Sequence, residues 1–425
     1  MSAGWISLPL LFLRALAIAL ALTLTLALTA PALGERAPAP MWLLANSPFQ
    51  LEVTVLSAEE KRESRQITRL WHRVRIERVF VGTELKVGDE TAVVSSVVTN
   101  PPGTTGGSGD RGPFKGPNGL PIPGDRARLF AHGSAAILHP VPPNGWQSAE
   151  RTVAFVAADD EYRSEVTMPL LAKLVEGAKV ARTTVHYATG DDGRGSAGKT
   201  PDPAARTGLT EGWMLGRADM TVLFMRFREL EYNTMLGFAD ATTFGLPLVG
   251  FRTSTHAFRY PETSRSKRWN DDFPREQFGT GWTFHHGHSS TTRILPPDAE
   301  SAKHPVLAGL HIPPEGLVVP SWLYSVEPLG ADCRVLLFGE AIGSERKDAP
   351  QRQPILWVRE TPRTDGLPPR RIAFTTLGHP GDFANPEVRV MAVQMISWAL
   401  GEEARMDDAT RATIRGTVFE PRPIR

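Results

Sequence analysis

Four short polar clusters in this chain follow apolar runs, and each carries residue types that can do chemistry. They are Asp159-Asp160-Glu161-Tyr162-Arg163 after "VAFVAA", Arg226 and Arg228 in "LFMRFREL", Arg252-Thr253-Ser254-Thr255-His256 after "LPLVGF", and His379 with Asp382 in "TTLGHPGDF". Carboxylates and imidazoles can carry or orient protons near neutral pH. Guanidinium groups stay protonated and suit an oxyanion or a carbonyl oxygen. Each cluster alone has a plainer reading. Acidic residues before a helix cap it, and His-Pro-Gly-Asp makes a turn. Their common position at strand ends carries the functional reading. A fifth cluster, "TFHHGHSSTTRI", holds His285, His286 and His288 among only 11 histidines in the chain. Three readings stay open for it: a divalent metal on His286 and His288, contact with an organic ligand, or a structural loop. No H-E-x-x-H and no Cys/His framework supports the metal.

The elements that must position these residues come in two blocks. From residue 49 to 143, "FQLEVTVL", "RLWHRVRIERVFV", "TAVVSSVV", "ARLFAHG" and "AAILHPV" alternate with a period of two, which predicts five strands. A Gly- and Pro-dense loop lies between the third and fourth. Such a run suits a small all-β barrel of OB-like type. Residues 144–150 read as a linker. From 151 to 403 strands alternate with helices, which predicts an α/β domain with a mostly parallel sheet. Ligands of such sheets bind beyond the carboxyl ends of the strands. Residues 404–425 read as a C-terminal tail.

Charge excludes some partners. The 425 residues hold 47 Lys and Arg against 46 Asp and Glu, so no net field favours nucleic acid. Residues 1–32, with Arg14 before "ALAIALALTLTLAL" and a small-residue exit, read as a secretory signal peptide, followed by a linker at 33–48. Export to the periplasm or the exterior is expected, with the membrane as a partner only if the segment stays uncleaved. Cys333 is the single cysteine, so the mature chain forms no internal disulfide; it reads as a small core residue in a buried strand.

The motifs "DDEYRSE", "ADMTVLFMRFREL", "GLPLVGFRTSTHAF", "HHGHSSTTRI", "HPVLAGL" and "FTTLGHPGDFANPEVRVMAVQMISWALG" appear in that order. Together they resemble the ThuA-like (trehalose utilisation) family over roughly residues 151–402. The resemblance implies a flavodoxin-like, class I glutamine amidotransferase-like sheet. In true amidotransferases the corner after "LPLVGF" bears a cysteine, and a His-x-Glu pair completes a triad. Here Arg252 stands at the cysteine position. His379 matches the histidine, Gly381 stands where the glutamate would be, and Asp382 follows. A guanidinium is no nucleophile, so glutaminase chemistry is excluded. The expectation is a small-molecule carbohydrate or keto-sugar site. His379, His256, Arg252 and Asp382 are its reacting groups, and Glu161, Arg226, Thr253, His286 and His288 contact the ligand. No cofactor is required by this reading. The rival is a binding or scaffold protein that has lost the nucleophile of its fold.

Overall fold

The computed structural model describes residues 47–63, 67–82, 84–98, 120–140, 146–190, 201–243, 245–362 and 369–424. The segment read as a signal peptide and most of the Gly/Pro loop lie outside them. Among the described residues no helix is long and apolar enough to cross a membrane.

The first block contains β1 (Phe49–Arg62), β2 (Ile67–Val81), β3 (Glu90–Val98), β4 (Arg126–Ser134), β5 (Ile137–Pro140) and β6 (Trp146–Ser148). Their order is β1-β2-β3-β5-β4, and β4 pairs back onto β1, closing a barrel. The β3–β5 pair is parallel and the other ring pairs are antiparallel. Alternation fixes which side chains enter: Val74 and Ile76 of β2 are fully buried, and Arg73 and Arg75, which alternate with them, face water. β6 falls in the segment expected as a linker and pairs with β4, extending the barrel sheet.

The second block begins with β7 (Thr152–Ala158), β8 (Arg182–Thr189), β9 (Gly208–Leu209), β10 (Met220–Met225), β11 (Leu248–Phe251) and β12 (Trp282–His285). It continues with β13 (Thr291–Ile294), β14 (Leu317–Val319), β15 (Tyr324–Val326), β16 (Cys333–Ile342), β17 (Arg352–Thr361) and β18 (Arg370–Thr375). In the large sheet β8-β7-β10-β11-β18 run parallel, as strand–helix alternation predicts. Beyond β18 the sheet turns antiparallel through β17, β16, β13 and β14. No helix separates β16 from β17, so the chain returns directly and the pair forms antiparallel. β12 and β15 make a separate antiparallel pair.

Helices cover both faces of the parallel part. α1 (Ser164–Gly177) packs Met168, Leu171 and Val175 with Val153, Phe155 and Ala157 of β7. α2 (Tyr232–Thr243) and α3 (Asp272–Phe278) pack Phe238, Phe273 and Phe278 in the cluster that holds Ala154, Val156 and Ala158. α4 (Pro386–Leu400) starts where Asn385 accepts a hydrogen bond from the Glu387 N–H at 2.9 Å and stops at Gly401, φ 78°. It is buried nearly all round because α5 (Asp408–Arg415) covers its outer side, with Ile414 in the core. The segment expected as a tail is thus part of the domain. Cys333 is half-buried at the start of β16, its thiol 3.8 Å from the Phe278 carbonyl, rather than in the core.

Candidate functional site

β7, β10, β11 and β18 are parallel neighbours, so the loops after Ala158, Met225, Phe251 and Thr375 emerge at one edge. All four expected clusters meet there. At the centre stands Arg252, first residue after β11, with φ 44°. A non-glycine residue in that region costs roughly 1–3 kcal/mol and persists only where the surroundings hold it. They hold it through the guanidinium, which is fully buried. Nη1 donates to Ser321 Oγ at 3.2 Å and to the carbonyls of Trp322 and Thr376 at 3.3 and 3.0 Å. Nη2 donates to the Tyr162 hydroxyl at 3.1 Å. The rings of Tyr162 and Tyr324 each lie 4.2 Å from the guanidinium carbon. Arg252 therefore ties three loops together from beneath. The expected direct contact with a ligand oxyanion does not fit a side chain enclosed in this way.

Thr253 is also fully buried, and its hydroxyl donates to Asp159 Oδ2 at 2.5 Å. Asp159 Oδ1 accepts the N–H groups of Glu161 and Tyr162. Burial pushes the Asp159 carboxyl up to about 6, against the lowering effect of the Thr253 hydrogen bond. Thr253 is thus a lock between the β7 and β11 loops, not the ligand contact expected of it. Arg226 and Glu161 reach the surface. Arg226 bridges Asp160 at 3.0 Å and Glu161 at 3.0 Å, all three partly exposed. Arg228, 1% exposed, spends itself on the carbonyls of Ala158, Pro203 and Ala205.

The β18 loop presents His379. Its Nδ1 accepts the Gly381 N–H at 3.0 Å, so the neutral ring carries its proton on Nε2. Burial lowers the His379 pKa; Asp382 opposes this and Arg252 adds to it. The neutral, half-buried ring offers a donor rather than the exchangeable base expected from sequence. Asp382 accepts from the N–H groups of Ser321, Gly378 and His379 at 2.9, 2.8 and 3.1 Å and from the Ser321 hydroxyl at 2.5 Å. It is fully buried and organises the loop backbone, which corrects its expected place among the reacting groups. A Cβ on Gly381 would approach Pro320 Cγ to 2.9 Å and His379 Nδ1 to 3.1 Å. A glutamate side chain has no room at that position.

His256 fails as a proton carrier for another reason. Its ring packs against Trp282, Phe227 and Tyr324, with centroids 4.8, 5.2 and 6.2 Å away. Burial, then Arg226 and Arg252, lower its pKa to about 3, so it is neutral throughout the physiological range. Alternation splits the histidine cluster. His286 is fully buried with Nδ1 2.8 Å from Ser344 Oγ, so the ligand contact expected of it has no access to solvent. His288 is exposed and lies flat on Trp322, 4.2 Å between centroids at 10°. His285 also packs on Trp322, at 5.1 Å. Among the described residues no group of three His, Cys, Asp or Glu side chains could hold a metal ion.

No family model matches the chain, and no curated protein matches it. Among solved structures one similar chain is a protein from Parabacteroides merdae named as ThuA-like. It is 14% identical, with a TM-score of 0.40 over 59% of this chain and 90% of that one. At that score the likeness decides nothing about chemistry, which rests on the side chains themselves.

The residues that sequence reading passed over are Trp322 and Tyr324, in "PSWLYSV", and Trp282. With Tyr162 they form the aromatic wall around Arg252: Tyr162 to Trp322 is 5.9 Å and Trp282 to Tyr324 is 6.0 Å. The available signal was weak: two aromatics with one residue between them, in a chain with only five tyrosines.

Proposed function

We propose that this chain is an exported protein whose α/β domain binds a carbohydrate or keto-sugar derivative and processes it without glutaminase activity. The observation that carries the reading is His379, a half-buried imidazole with a fixed Nε2 donor, set 6.5 Å from the Tyr162 ring at the carboxyl edge of the parallel sheet. Support comes from its surroundings. Sugar hydroxyls bond to carboxylate and guanidinium groups, here the partly exposed Glu161 and Arg226. In this reading His379 donates to a ligand oxygen and stabilises charge that develops there.

The test is a screen of glucose disaccharides and their keto derivatives by thermal shift and by product formation. For the sugar that is processed, His379→Ala lowers turnover by about 100-fold or more, the usual effect of removing one such donor, while the variant stays folded by circular dichroism. Wild-type turnover by the variant sinks the assignment. A second reading, recognition without catalysis, draws support from Arg252: the place of the fold's nucleophile is filled by a sealed, unreactive cation. A sugar that shifts the melting temperature and is recovered unchanged favours that reading. Export is tested by N-terminal sequencing of the mature protein.

A further inference from the structure

At Arg163 the loop after β7 turns into α1, and the backbone there is left-handed, φ 57° and ψ 42°. That conformation strains any residue with a side chain, as it does at Arg252, and persists only where the surroundings hold it. Tyr162, just before the turn, points inward. It is 1% exposed, its hydroxyl accepts from Arg252 Nη2 at 3.1 Å, and its ring lies 6.5 Å from that of His379. The Arg163 side chain turns outward and makes no capping bond to the helix. Its Nε donates instead to the Pro423 carbonyl at 2.8 Å, and Nη1 lies 3.8 Å from Glu165.

Pro423 belongs to a segment that returns from far along the chain. Arg389 of α4 holds its start, with Nη2 donating to the carbonyls of Arg415 and Thr417 at 3.0 and 2.7 Å. Residues 417–424 then run without helix or strand. Phe419 and Ile424 are partly buried against the hydrophobic cluster that holds Tyr162 and Leu171. Between them Glu420, Pro421, Arg422 and Pro423 are exposed. The two prolines keep this stretch extended and remove two donors. Among the described residues, the hydrogen bond from Arg163 is the only one that residues 418–424 make. A segment held by two side chains and one hydrogen bond opens more readily than the core beneath it.

We propose that residues 417–424 are a strap, and that Arg163 is the positioning residue through which the strap sets the site. Docked, the strap holds Arg163 in its left-handed turn and Tyr162 against Arg252. Released, it leaves the strain of that turn unopposed, and Tyr162 shifts away from Arg252 and His379. The coupling needs no particular ligand, so it stands apart from the carbohydrate reading.

The experiment follows the full chain with 13C-labelled tyrosine rings and a 15N-labelled backbone. The chain has five tyrosines, so each ring signal is assigned by substitution. Tyr260, in the other hydrophobic cluster with Ala154 and Val156, reports on the fold. Arg163→Ala removes the hydrogen bond and keeps the strain. It should free residues 418–424, with order parameters falling below about 0.6, and move the Tyr162 signal while Tyr260 stays. Arg163→Gly also removes the hydrogen bond, but glycine takes φ 57° without strain. It should free the strap and leave Tyr162 at its wild-type position. A chain ending at Gly416 should move Tyr162 as Arg163→Ala does, and combining the two changes should move it no further. Should that chain unfold, the alanine and glycine variants alone decide. A strap that stays ordered in Arg163→Ala, a Tyr162 signal that stays in place there, or equal movement in both variants overturns the proposal. Additive shifts in the combined variant overturn it as well.

Discussion

The buried Asp159 and the partly exposed His256, packed among aromatic rings, have opposite consequences for stability. The Asp159 carboxyl is raised to about 6 by burial, so the folded state holds its proton more tightly than the unfolded chain does. Its contribution is complete below the ordinary aspartate value and is lost as pH rises through 6. Asp159→Asn, which stays neutral, should therefore gain on the wild type between pH 4 and pH 7, by roughly 3 kcal/mol at 1.36 kcal/mol per pKa unit. Urea midpoints across that range check it, and parallel pH profiles would refute it. His256, lowered to about 3 by burial, Arg226 and Arg252, runs the other way. Its contribution is present above pH 6.5 and is lost as pH falls toward 3. His256→Leu should flatten that part of the acid limb, again read from urea midpoints. Arg252 differs from both, because its worth lies in geometry. Lysine cannot reproduce its hydrogen bonds to Ser321, Trp322, Thr376 and Tyr162. Arg252→Lys should cost about 2 kcal/mol or more by calorimetry, each hydrogen bond to a charged group being worth about 1.5–3 kcal/mol.

At the scale of elements, β11 decides how the site is presented. Gly250 lets the ring of Phe278 from α3 and that of Phe374 from β18 close over the strand. A Cβ there would meet them at 2.5–2.6 Å. Gly250→Ala should destabilise by about 1–3 kcal/mol through overpacking and displace the corner that carries Arg252. Thermal unfolding and the chemical shifts of labelled Phe278 would show it. The strands of the parallel core were legible in sequence because each is a short apolar run followed by polar residues, and that pattern also located Asp159, Arg226, Arg252 and His379. The roles within those clusters were not legible. Whether Thr253 faces a ligand or Asp159, and whether Asp382 touches an imidazole or a backbone, depends on loops brought together from distant parts of the chain. The antiparallel wing was hidden for a related reason: "VLLF" in β16 and "ILWV" in β17 read alike in either direction. Trp322 and Tyr324 escaped because β15 spans only three residues, too few for a pattern.

Across the whole molecule the barrel and the α/β domain meet through buried charge. Arg128 of β4 donates to both carboxylate oxygens of Asp219, which sits just before β10; Asp219 also accepts the N–H and hydroxyl of Thr152 at 2.8 and 3.0 Å. Arg151 lies among Glu52 of the barrel, Asp219 and Glu402 of the α/β domain, at 3.6, 4.0 and 3.7 Å. Burial would raise the Asp219 carboxyl, but Arg128 and Arg151 outweigh it and hold the group below its usual value. Asp219→Ala leaves Arg128 buried without its main partner and should cost about 3–5 kcal/mol. Limited proteolysis should then cut near residues 141–150 in the variant and spare the wild type. Uniform cleavage of both would show that the joint does not depend on Asp219. The contrast with a pair such as Arg73–Glu90 on the outside of the barrel, 65% and 37% exposed, has a practical side. Dissolved salt screens charges that water can reach and acts little on those it cannot. The joint between the two modules should therefore depend little on ionic strength.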